Sequence, residues 1–139
     1  MSKPIAIANG IAFAFPDVCK TPAPPSAPVP IPYPNIAQLN QAMPKSDDSG
    51  KELKVGPGGD HVLLLNSEVS TSSGDEAGSV GGVKSGTIQG KCKMVQASSS
   101  VVYGPQQKGI VRFLDRTEQN NGNAQGMVLS AFPTVLVGD

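Results

Sequence analysis

Three side chains in this sequence carry the soft donor atoms that hold a transition metal: Cys19, His61 and Cys92. They stand far apart, without C-x-x-C or H-x-x-x-H spacing, whereas a closed zinc site takes four ligands at roughly tetrahedral angles. Asp60, Asp115 and Glu118 are the carboxylates that could complete such a set. Cys19, His61 and Cys92 are the metal candidates and zinc the candidate cofactor; apart from it no cofactor is expected, and two cysteines make no disulfide framework. Nucleophilic chemistry has less to work with. A serine nucleophile needs a base within hydrogen-bond reach and a group that orients that base. His61 is the one histidine, Ser67, Ser70 and Ser72 follow it, and no G-x-S-x-G is present. Asp75 and Glu76 are adjacent carboxylates, which an extended chain points to opposite faces. Gly74, Gly78, Gly81 and Gly82 have the composition of a phosphate cradle, but neither a Gly-Lys-Ser/Thr ending nor a helical pattern follows, so a structural turn is expected. No catalytic residue is assigned, and the expectation is a chain that is not an enzyme.

The elements that position these groups follow from composition and period. The chain has 139 residues, a length suited to one domain. With 16 Gly, 13 Pro and 38% hydrophobic residues, it reads as an all-β fold of short strands and Gly/Pro turns. Residues 5–8 and 11–15 read as strands about an Asn9-Gly10 turn, the second alternating large with small residues. Seven prolines between 19 and 35 exclude helix and central strand. They predict a stiff extended ribbon of polyproline type, because the residue before each proline is also held extended. Val29, Ile31 and Tyr33 alternate with these prolines as an apolar row, and are the candidate partner-binding residues. Asn35 is a candidate N-cap for one helical turn ended by Pro44, with a polar loop after it. Further strands are expected at 53–55, 61–65, 67–70, 83–93, 101–103, 110–114 and 127–137, with a Ser/Gly-rich loop over 70–82.

One internal repeat is visible. Val55-Gly56-Pro57 aligns with Tyr103-Gly104-Pro105, and Val62-Leu63-Leu64-Leu65 then aligns with Ile110-Val111-Arg112-Phe113. Two copies fall short of a solenoid; they predict hairpins stacked alike about a common axis. Basic and acidic residues balance at 11 each. Without a basic patch or stacking aromatics, no nucleic-acid partner is expected. No stretch reaches the ~20 apolar residues of a membrane-spanning helix. The apolar run from Ile5 to Val18 is broken by Asn9, Gly10 and Pro16 and lacks a cleavage site, so it reads as mature chain rather than signal peptide. The expected location is cytoplasmic until another route exports the protein.

Residues 12–38, AFAFPDVCKTPAPPSAPVPIPYPNIAQ, resemble the N-terminal signature of the PAAR-like proteins. These are a branch of the proline-alanine-alanine-arginine spike-tip group of type VI secretion and related contractile injection systems. Residues 73–91, SGDEAGSVGGVKSGTIQGK, resemble that family's second signature, and residues 111–123, VRFLDRTEQNNGN, more loosely its third. The resemblance implies a compact, tapering β-prism or cone with pseudo-threefold character and at most one short helix. It implies a single PAAR-like domain over 1–139, with no C-terminal effector domain. The implied function is structural: one copy caps a trimeric VgrG-like spike, sharpens it for membrane puncture, meets the target membrane only in passing, and serves as a link to a separate effector or adaptor. Relatives carry histidines in the third signature that, with the cysteine of the first, are thought to hold a metal at the tip. Residues 117–123 contain no histidine, so Cys19 lacks those partners, and Asn side chains bonded to backbone are the alternative way to hold the point. Two other functions stay open: a small secreted module binding peptide or carbohydrate along the proline ribbon, and a toxin or hydrolase.

Overall fold

Alternation along residues 11–14 builds a strand whose small residues face inward: Ala12 and Ala14 are fully buried, while Phe13 between them stays partly exposed. The reason for this inversion lies in the architecture of a computed structural model that describes residues 2–42, 54–104 and 107–138. Its elements in chain order are β1 (Lys3–Ile5), β2 (Ile11–Ala23), β3 (Ser26–Gln38), a single 3-10 turn (Leu39–Gln41), β4 (Lys54–Val55), β5 (Asp60–His61), β6 (Glu68–Val69) and β7 (Gly81–Gly82). Then follow β8 (Cys92–Met94), β9 (Val102–Tyr103), β10 (Lys108–Gly109), β11 (Arg116–Gln119), β12 (Ala124–Leu129) and β13 (Phe132–Val137). The all-β expectation holds.

These strands form three equivalent units around one axis. At the centre, Ala6 N donates to Val111 O (3.0 Å), Val111 N to Leu63 O (2.9 Å), and Leu63 N to Ala6 O (3.2 Å), which closes a ring. Each pair of segments continues as an antiparallel ladder, with the donor two residues after the ring and the acceptor two residues before it: Ala8 N to His61 O (2.7 Å), Leu65 N to Gly109 O (2.9 Å) and Phe113 N to Pro4 O (2.8 Å). Each unit then makes an antiparallel pair, β2–β3, β6–β8 and β11–β12, starting at Ile11↔Gln38, Glu68↔Lys93 and Arg116↔Met127. Neighbouring pairs join along β12–β2 (Val128↔Ala12) and β8–β11 (Met94↔Thr117). The third junction is a single bridge, Ile36↔Ser73. The closed, three-sided prism that results leaves its axis narrow, which is why alanine occupies the inner positions of β2.

At the end of the prism formed by the ring segments, each unit adds a two-stranded ribbon: β4–β5, β9–β10 and β1–β13. Lys54↔His61, Val102↔Gly109 and Leu136↔Pro4 are equivalent pairs. The repeat read in the sequence therefore has a third member, whose first strand comes from the far end of the chain. Gly56 and Gly104 sit at matching turns with φ of 82° and 84°, a left-handed conformation that glycine adopts without a steric penalty. Pro105 lies outside the described residues.

Apolar side chains fill this end in two adjoining clusters. Ile5, Ile7, Val62, Leu64, Ile110 and Val137 form one, with Phe132 and Tyr103 packed against it. Ala6, Leu39, Leu63, Met94, Val111 and Val128 belong to the next. Beneath them Arg112 pairs with Asp115, Nε to Oδ2 at 3.0 Å and Nη2 to Oδ1 at 3.1 Å, both side chains being buried. Asp115 Oδ2 also accepts Arg112 N, Ser67 Oγ accepts Leu64 N, and Ser130 Oγ accepts Ile7 N. These three oxygens satisfy the same backbone position in each unit.

Three expectations are corrected. Asn35 caps no helical turn: β3 continues to Gln38 and the 3-10 turn starts at Leu39, while Pro44 and its polar loop lie outside the described residues. The ribbon over 19–35 is not a free polyproline segment but the paired arms of β2 and β3, with Val18↔Pro32, Cys19↔Ile31 and Lys20↔Pro30 in register. β3 is nevertheless the last strand of its sheet, as prolines require. Residues 83–93 are not one strand, since turns occupy 83–86 and only Cys92–Met94 pairs.

Candidate functional site

Away from the ribbons, past the apolar clusters, the three hairpin ends enclose a buried polar network instead of a core. Asp17 on β2 is its centre and is fully buried. Its Oδ1 accepts Asn120 Nδ2 (3.2 Å), Asn123 Nδ2 and the Cys19 thiol (3.6 Å), and its Oδ2 accepts Asn35 Nδ2 (3.2 Å). Asn35 Nδ2 also reaches Ser72 Oγ (2.9 Å) and Asp75 Oδ2 (3.4 Å). Gln119 Nε2 donates to Asn35 Oδ1 (2.8 Å) and to the carbonyl of Asn35 (3.0 Å). Asp75 Oδ1 accepts Gln89 N at 3.0 Å. Each unit thus contributes: β2 and β3 give Asp17, Cys19 and Asn35; the 70–91 loop gives Ser72, Asp75 and Gln89; the β11–β12 turn gives Asn120 and Asn123.

The local chain explains the placement. A register shift between Ala14 and Asp17 turns Asp17 inward. Asn120 and Asn121, with φ of 50° and 56°, make the β11–β12 turn, a conformation that asparagine tolerates better than most residues. Gly78 and Gly82 let the loop lie against the network, because a Cβ there would fall 2.3 Å from Cys19 Cβ and from Asn123 Cγ respectively.

Electrostatics bind the group together. Burial, then the hydrogen bond shared with Asp17, pushes Asp75 up to about 7. A second carboxyl this close in a dry interior makes ionisation of Asp75 costly, so Asp75 holds its proton more tightly than an ordinary aspartate. Burial, then the charges of Asp17 and Asp75, pushes the Cys19 thiol up to about 12.

Cys19, Asp17 and Asp75 place one ligating atom each within 4.8 Å of one another. The donor set nevertheless does not fit a metal. Asp17 Oδ1 already accepts two amide N–H groups and a thiol, and Asn120 turns an N–H, not a lone pair, toward Cys19 Sγ (3.8 Å). The other metal candidates are not brought to it. Cys92 lies in the apolar cluster with Met94 and Val128, its thiol pushed up to about 12 by burial. His61 sits on β5 at the ribbon end, where its Nδ1 is buried and has no hydrogen-bond partner among the described residues. Val29 and Ile31 are exposed on β3, while Tyr33 is half-buried with its hydroxyl 2.7 Å from Thr21 Oγ1. Reading the sequence for reactive types singled out Cys19 and Asp75 but passed over Asp17 and Gln119. The signal available for the rest was the Asn run near 120, which the Asx-turn alternative had used.

A family model described as a toxin PAAR-like domain matches residues 10–126. Among curated proteins, the chain is 37% identical over 128 residues to the "DNase toxin Tse7" of Pseudomonas aeruginosa. The alignment covers 86% of this chain and 31% of that protein, so the chain spans just under a third of its curated relative. No solved structure matches. These findings correct the expectation of a chain that is not an enzyme: the matching family is described as a toxin and the relative as a DNase. The toxin alternative, rather than a purely structural cap, is the one they favour.

Proposed function

The chain belongs to the toxin PAAR-like domain family, and from that premise we propose that it seats a DNase-type toxin on the threefold spike of a contractile injection system. One observation carries the docking half of this reading: the three equivalent ribbons β1–β13, β4–β5 and β9–β10 around a closed hydrogen-bonded ring. A trimeric spike ends in three identical sets of strand edges, and unpaired edges seek partners. A single chain can match three identical edges only by presenting three similar ones. The strands that carry Leu136, Lys54 and Val102 occupy equivalent positions for this, and all three side chains are exposed. We place docking there rather than at Val29, Ile31 and Tyr33, which lie on the far arm of β3.

The toxin half rests on the relative's name, which makes DNA its target. Nucleic acid therefore enters as the substrate of the toxin, and phosphodiester hydrolysis as its reaction class. The producing cell holds the protein in its cytoplasm until it is loaded on the spike; among the described residues, no helix is long and apolar enough to cross a membrane. The test is to mix the chain with a trimeric spike protein and weigh the complex. One chain per trimer is expected, with binding lost in a Val102→Asp/Leu136→Asp double variant that keeps the wild-type circular dichroism. Absence of a complex, or three chains per trimer, refutes docking. Failure of the complete toxin polypeptide to cut plasmid DNA in the presence of magnesium refutes the DNase assignment.

A further inference from the structure

We infer that the end of the prism remote from the ribbons is closed by side-chain amides in place of a metal, so that this chain reaches its native state without zinc at Cys19. The third signature is where the family resemblance puts imidazole ligands, and it presents Asn120 and Asn123 to Cys19 and Asp17. An imidazole offers a metal a lone pair, whereas these two residues offer N–H groups. Backbone partners fix their orientation. Asn123 Nδ2 donates to Val18 O (3.0 Å), while its Oδ1 accepts Lys84 N (2.8 Å) and Ser85 N (3.2 Å). Asn120 Nδ2 donates to Thr87 O (2.7 Å), and its Oδ1 accepts Gly90 N (3.0 Å). A carbonyl can only accept and a backbone N–H can only donate, so neither amide can turn its oxygen toward Asp17 without losing these bonds.

The hydrogens therefore occupy the directions from which a cation would approach, and the negative charge of Asp17 is neutralised by dipoles rather than by an ion. The amides also perform the mechanical task of a metal. Asn123 ties the turn of the third unit to β2 and to the 83–85 turn, and Asn120 ties it to the 87–90 segment. All three units are cross-linked at this one point. The thiol of Cys19 takes part as a hydrogen-bond donor to Asp17 Oδ1 (3.6 Å).

The experiment compares metal content with stability in the full chain. The protein is produced in zinc-supplemented medium, and its metal is measured by mass spectrometry. Its melting temperature is then taken alone, with EDTA, and with added zinc sulfate. The expected result is far less than one zinc per chain and the same melting temperature in all three conditions. Asn123→Ala is expected to lower that temperature by roughly 5–10 °C, whereas Cys19→Ser, which keeps a donor, shifts it much less. Should Asn123→Ala fail to fold, slowed solvent exchange of the Asn120 and Asn123 side-chain amides in the wild type is the second readout. Near-stoichiometric zinc, a melting temperature that falls with EDTA, or freely exchanging amides overturns the inference.

Discussion

A buried carboxylate normally appears beside a cation or a metal, because leaving it unpaired is prohibitive. Asp17 is instead held by three amides and a thiol, so removing it takes an acceptor from four donors at once and leaves one N–H of Asn123 and the Cys19 thiol without their partner. Asp17→Ala is therefore expected to destabilise by roughly 3 kcal/mol or more, measured by urea unfolding. Asp75 gives the pH dependence. Its native pKa, about 7, lies above the ordinary value of 3.8, so between these values the folded chain holds a proton that the unfolded chain has released. Stability from this group is thus complete below pH 4, falls as pH rises toward 7, and is level above. Asp75→Asn is expected to flatten that slope, compared by urea midpoints at pH 4.5 and 7.5. At this scale the sequence was only partly informative. Cysteine and carboxylate announce themselves by chemical type, whereas Asn35, Asn120 and Asn123 are ordinary turn residues whose importance comes from convergence in space.

The long β2–β3 arm carries its prolines on an edge. Proline has no N–H, so every ladder donor that β3 supplies between 28 and 34 comes from Val29, Ile31 and Tyr33 facing β2. The outer side of this arm then offers acceptors without donors and cannot template another strand. Pro32→Val is expected to restore a donor there, leaving monomer stability within ~1 kcal/mol while promoting concentration-dependent association seen by light scattering. Proline spacing made the extended ribbon and its edge position readable in advance. Its partner strand was not, since nothing local in residues 11–23 tells which segment will pair with them. The same holds for 83–93, where alternation of Val83, Ser85 and Thr87 imitates a strand but the positive φ at Gly86 and Gln89 turns the chain.

Over the whole molecule, three short segments share one hydrogen-bonded ring, and Leu63, Ala6 and Val111 are its matching members. Leu63→Ala removes the largest of the three from a site 2% exposed and is expected to cost ~3 kcal/mol by chemical denaturation. Two of the units were visible in the sequence because both keep a Gly turn followed by an aliphatic run. The third was hidden because Ile5-Ala6-Ile7-Ala8 lacks that turn and borrows its first strand from residues 132–137. A chain stopped after Ser130 would leave β1 without its ribbon partner, and is expected to be cut by protease far faster than the intact chain. That borrowed strand also sets a timetable. As the polypeptide leaves the ribosome, two sides of the prism can assemble, but Lys3 and Pro4 must wait for Val137 and Leu136 before the last side latches. The clasp therefore shuts only once translation has passed Val137, and a stalled nascent chain never offers the finished threefold face.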